Sequence, residues 1–208
     1  MPTNEPSAEQ RSYTHPDFDP IWAGFAEHSV PVALHTAANG DYNAVSPSFR
    51  NNGRTPIALG GDAPFGELGL LNIGASAQLF LSAMIFDEVF ARHPKLRVLS
   101  MEHGASWVPG WLQQMDFTAN TFKHFRKFVE KPSETAKRHL KFSPFSGEPV
   151  GWIIDSIGPD MLVFASDYPH PEGTADPIKR FERSMPNCDQ EVMDKFYYGN
   201  MLELMGGA

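Results

Sequence analysis

The sequence predicts a parallel α/β fold, because short apolar strands and amphipathic helices alternate four times along its 208 residues. Three of the four strands run into a histidine or an aspartate, and no glycine-rich phosphate loop follows any of them. An open doubly wound sheet would hold its ligand against such a loop, whereas a barrel gathers functional residues at the C-terminal ends of its strands. The expected architecture is a partial (β/α)8 TIM barrel, since closure takes eight strands and about 250 residues.

Residues 1–18 are rich in Pro, Ser, Glu and Asn without periodicity and read as a flexible N-terminal arm, ahead of one folded unit over 19–208. Asp19 and Pro20 then open a helix that turns Ile21, Trp22 and Phe25 toward a core. Val30–Leu34 is long enough for a buried strand and too short for another helix, and His35 stands at its end. The stretch from Thr36 to Gly74, with Gly60, Gly61 and Pro64, reads equally as a lid or binding loop and as a disordered insertion.

From Ser76 to His93 the residues Leu79, Ala83, Phe86 and Phe90 recur at helical spacing until Pro94. Leu96–Met101 is the second strand, closed by Glu102, His103 and Gly104. Ser106 is placed to cap a helix whose stripe of Trp111, Met115, Thr118, Phe122, Phe125 and Val129 reads as core packing. His139–Ser143 is a weaker third strand, and Val150–Ile157 a short helix stopped by Gly158 and Pro159. Met161–Ala165 is continuously apolar, as a strand covered on both faces should be, and leads into Ser166 and Asp167. Two helices capped by Asp176 and Asp189 complete the chain.

With 41% hydrophobic and 12% aromatic residues the chain can build a core, so disorder is excluded. A net charge of -8, a pI near 5.4 and no basic run argue against nucleic acid and anionic membranes and for a small-molecule substrate. No secretory leader and no stretch of about 20 apolar residues is apparent, and Cys188 is the single cysteine. The chain is therefore expected in the cytoplasm.

His35, His103 and Asp167 form the candidate centre, since two imidazoles and a carboxylate supply the three protein ligands usual around a catalytic zinc. A lone histidine after an apolar strand is more often a structural residue. Asp167 is more telling, because a carboxylate ending a buried strand is costly unless paired, capping or metal-bound. Zinc is the expected divalent metal. The other histidines lie in loops or on helices, apart from His170, which stands near enough to meet substrate.

The segments Pro31–Thr36, Glu102–Pro109 and Phe164–His170 resemble those of the amidohydrolase-related family that includes aminocarboxymuconate-semialdehyde decarboxylase, and Tyr198–Met201 resembles its usual ending. The likeness runs from Phe18 onward and implies strands five to eight of the barrel, its C-terminal half. It implies His35 as the fifth-strand metal ligand, His103 as the sixth-strand acid or base, and Asp167 as the eighth-strand metal ligand. Catalytic roles then fall to His103 and Asp167, metal binding to His35 and Asp167, and substrate contact to Trp107 and His170.

The family's opening His-x-His pair has no counterpart here, and Gln113 and Gln114 stand where some decarboxylase members carry a substrate-gripping arginine. The expected activity is a metal-dependent hydrolase or non-oxidative decarboxylase, completed by a homo-oligomer or by a chain supplying the N-terminal half. The rival expectation is a truncated, inactive half that binds a partner through its open edges.

Overall fold

The computed structural model describes residues 10–36, 47–55, 66–170 and 173–207. Its centre is a parallel sheet of β1 (Val32–His35), β2 (Val98–Met101) and β3 (Leu140–Phe142), in that order. His35 is paired in register with Met101, and Ser100 with Phe142, so the strands finish level with one another. Parallel pairing puts every C-terminal end on one edge, and there the candidate residues collect.

β2 and β3 are buried along nearly their whole length, Ser100 and Lys141 included, whereas β1 buries only Val32 and Leu34 and turns Ala33 and His35 outward. Helices supply the cover. α1 (Asp19–Glu27) buries Trp22, and α4 (Ala75–Phe86) buries Ala77, Phe80, Leu81, Met84 and Ile85. α6 (Val108–Thr121) adds Trp111, Leu112 and Met115, and α8 (Val150–Ile157) adds Ile153 and Ile154. Each large apolar side chain so buried contributes about 1.5–3 kcal/mol. The remaining helices are α2 (Pro47–Arg50), α3 (Glu67–Leu71), α5 (Val89–Arg92), α7 (Pro132–His139), α9 (Pro177–Ser184), α10 (Gln190–Asp194) and α11 (Asn200–Leu204).

Several sequence expectations change. The fourth strand, Met161–Ala165, makes one parallel bridge, Leu162 to Phe142, and no ladder beyond it. The Val163 amide still donates to Phe142 O at 2.9 Å, but the Phe164 amide turns to Phe196 O at 3.0 Å, and Leu162 O accepts from Asn200 Nδ2 at 2.7 Å. The helix expected over 76–93 breaks after Phe86, where Glu88 adopts a left-handed backbone (φ 57°), and Leu79 points outward. α7 was not expected, because its charged sequence has no apolar stripe long enough to show.

Ser106 does not cap α6, whose N-cap is Trp107 without a side-chain bond; the Ser106 amide, ahead of the helix, donates to Glu148 Oε1 at 2.7 Å. The apolar stripe on α6 is core only as far as Met115, since the helix ends at Thr121 and leaves Phe122 and Phe125 exposed, Phe125 to 88%. Asp189 does cap α10 through the Val192 amide, whereas Asp176 precedes α9 without a side-chain bond.

Residues 1–9 and most of the loop from 36 to 74, including Gly60, Gly61 and Pro64, lie outside the described residues. Where the arm is described it is docked: Thr14 is buried and its Oγ1 donates to Asp87 Oδ2 at 2.6 Å, while Trp22 Nε1 donates to Tyr13 O at 2.9 Å. Contrary to the sequence reading, Glu67–Phe86 is long and apolar enough to cross a membrane by length and composition (20 residues, mean hydropathy 1.6). The turn at Asn72–Gly74 interrupts it, and the burial of Phe80, Leu81, Met84 and Ile85 in the main cluster makes its second half a core helix.

Candidate metal centre

The site begins where the strands stop. One residue past β2 the chain turns sharply: Glu102 (φ 57°) and Gly104 (φ 65°) are both left-handed, and this projects Glu102 and His103 in different directions. Asp167 (φ 53°) makes the same kind of turn after the apolar run that ends at Ala165. Left-handed backbone is uncommon for residues with a Cβ, and two acids holding it, one after β2 and one after the run that bridges β3, mark a place where side-chain direction matters.

Glu102, Asp167 and His170 each offer a ligand atom within 4.8 Å of the others. His170 Nδ1 lies 3.6 Å from Asp167 Oδ1. His35 joins from β1, its Nε2 lying 3.1 Å from Glu102 Oε1 and its Nδ1 2.8 Å from Thr36 O. The two carboxyl groups are largely sheltered, with 17% and 15% of their side-chain surfaces exposed.

That arrangement suits a cation. Ligand atoms about 2.0–2.2 Å from a common ion stand about 3–4 Å apart, so a small inward adjustment brings these three onto one centre. Two hard carboxylates and an imidazole are donors that both zinc and manganese accept.

His103 lies under this group. It is 1% exposed, its Nδ1 is 3.0 Å from Ser100 Oγ, and its Nε2 is buried without a hydrogen-bond partner. Burial, with a smaller contribution from the charge of His35, lowers its pKa from 6.5 to about 4, so the ring is neutral near pH 7. A neutral imidazole with one uncommitted nitrogen can accept or deliver a proton.

Of the residues expected from sequence, His35, Asp167 and His170 are therefore brought to one group, the first through Glu102. Trp107 is turned beneath the site: its indole N–H donates to His103 O at 3.0 Å, and its ring packs edge-on against Trp111 and Phe142. Gly74 allows this approach, since a Cβ there would stand 2.4 Å from Trp107 Nε1. Glu102 was missed as a ligand and read as strand closure; its signal was an acid directly before a strand-end histidine. Ser100 was missed too, although a hydroxyl three residues before a histidine is a natural partner for it.

Residues 2–206 match the family described as amidohydrolase. Among solved structures, an amidohydrolase from Mycobacterium avium subsp. paratuberculosis K-10 is 27% identical, with a TM-score of 0.75 over 94% of this chain and 47% of that one. The 5-carboxyvanillate decarboxylase of Sphingomonas paucimobilis shares the fold at 20% identity, with a TM-score of 0.68 over 98% of this chain and 57% of its own. A dihydroxybenzoic acid decarboxylase from Polaromonas sp. JS666, solved with bound manganese, shares it at 17% identity and a TM-score of 0.64, over 96% and 57%. The chain spans about half the length of these structures. With its strand-end acids and histidines in place and nearly its whole length matched, this chain belongs to the amidohydrolase family.

Proposed function

We propose that this chain carries the metal site of a hydrolase or non-oxidative decarboxylase acting on a small organic molecule, with Glu102, Asp167 and His170 as ligands and His35 adjoining them. The observation that carries the reading is the convergence of those three donors within 4.8 Å at one sheet edge. A bound divalent ion would polarise a substrate oxygen or lower the pKa of water. His103, neutral and with Nε2 uncommitted, is the group to move the proton.

Zinc remains the ion expected from sequence, and the manganese of a structural neighbour makes it the competitor. The decarboxylase neighbours favour loss of CO2 from an aromatic acid, although Gln113 and Gln114 are exposed on α6 and supply no grip on a carboxylate. We assign the sheet to strands five to eight of the barrel, behind an arm at 1–18, in a cytoplasmic enzyme. The half-length match supports completion by a second copy or by a chain bearing the other strands.

Elemental analysis of the purified chain tests the metal site. Near-stoichiometric zinc or manganese that disappears in Asp167→Ala is expected, and a folded sample that takes up neither ion ends the reading. The rival reading, a half-barrel that only binds a partner, draws on the exposed Phe122, Phe125 and Val129, and the same measurement decides against it when metal is found.

A further inference from the structure

Glu148 lies on the loop after β3, outside the group of ligands, yet its carboxylate reaches across to the loop after β2. Oε1 accepts the amides of Ala105 at 3.0 Å and Ser106 at 2.7 Å, and Oε2 accepts those of Ala105 at 3.0 Å and Phe145 at 2.7 Å. Every donor is a main-chain N–H, so the carboxylate ties one loop backbone to the other with charge-assisted bonds. Ala105 and Ser106 directly follow the Glu102–His103–Gly104 turn. A Cβ at Gly104 would stand 3.1 and 3.3 Å from the two carboxylate oxygens, and φ +65° there also suits glycine.

We propose that Glu148 is a positioning residue of the metal site: by clamping the amides after Gly104 it fixes the direction in which Glu102 and His103 leave β2. The proposal rests on the metal reading above. A second anchor on the same turn, the Trp107 bond to His103 O, holds its other side, so the turn is held from both α6 and the β3 loop. Glutamine at 148 keeps the size of the side chain but replaces one acceptor with a donor facing the amides it should receive, which disrupts the clamp at little steric cost.

The full chain is compared with Glu148→Gln by Mn2+ titration and, after chelator treatment, by the imidazole 1H–15N signals of His103. Mn2+ binding weakened by roughly tenfold or more in a folded variant, with shifted His103 signals and unmoved His139 signals, is the expected result. Unchanged affinity and unchanged His103 signals overturn the proposal. If the unaltered chain binds no Mn2+, the metal reading fails by itself, and the His103 signals alone decide on Glu148. If Glu148→Gln does not fold, Glu148→Asp replaces it, one methylene too short to span both loops, with the same direction expected. Amide exchange in the unaltered chain adds an independent arm: slow exchange at Ala105 and Ser106 supports the clamp, and fast exchange overturns it.

Discussion

Two acidic residues held in left-handed backbone tie stability to chemistry at the scale of single residues. Glu102 at φ 57° carries a conformational cost of about 1–2 kcal/mol that glycine would not. Glu102→Gly is therefore expected to raise the denaturation midpoint by the equivalent of about 1 kcal/mol while lowering metal affinity, measured by denaturant titration beside metal binding; a destabilised variant would contradict it. His103 makes a similar prediction. Among the described residues its buried Nε2 has no hydrogen-bond partner and its Nδ1 meets Ser100 alone, so no described contact requires the pair to be polar. Replacing both groups by apolar ones, Ser100→Ala with His103→Leu, should change stability by less than about 1 kcal/mol. A loss of several kcal/mol would assign His103 to the fold and not to the reaction.

Among the elements, α7 and β3 meet at His139, which is buried, stacked on Phe90 at 4.7 Å between centroids, and bonded through Nδ1 to Leu96 O at 2.8 Å. Burial lowers its pKa below 6.5, so the unfolded chain binds the proton more readily than the folded one. The stability contributed by the neutral ring is complete above the unfolded value and is lost as pH falls from there through the lower folded value. Denaturant midpoints measured from pH 7.5 to pH 5 should fall with acid, and less steeply in His139→Gln; equal slopes would remove His139 from the acid response. The element that sequence described least well, Met161–Ala165, shows why apolar runs mislead. Upstream it reaches β3 only through Phe142, while Phe196 and Asn200, more than thirty positions downstream, take Phe164 N and Leu162 O, and Phe164, Phe181 and Phe196 hold it by edge-on ring contacts.

For the whole molecule, the exposed apolar residues matter most. Phe117, Phe122, Phe125 and Val129 crowd the end of α6 and the segment after it, and no described strand pairs with the outer edge of β1. Contiguous apolar surface and an open edge both favour association. The chain is expected to sediment as an oligomer or to aggregate at micromolar concentration. Phe125→Lys with Val129→Lys should raise the soluble fraction without lowering the melting midpoint, since neither side chain is buried; a sharp monomer peak for the unaltered chain would refute the expectation.

The strands β1, β2 and β3 and the standing of His35 and Glu102–His103 at or just past strand ends were legible in the sequence, because apolar periodicity and short strand length are local properties, whereas the run before Asp167 reads as a strand and makes a single bridge. The family likeness was legible in the same segments. What one chain position does to another was not. That Glu102 comes near Asp167 and His170, that Glu148 holds the amides of Ala105 and Ser106, and that the stripe on α6 leaves the core after Met115 depend on strand register and on where the helix ends. Sequence alone offered His35, His103, Asp167 and His170 but not Glu102, and only the tertiary structure decided which side chains meet, because the distances between them arise from the pairing of β1, β2 and β3 and from the turns that follow the apolar runs.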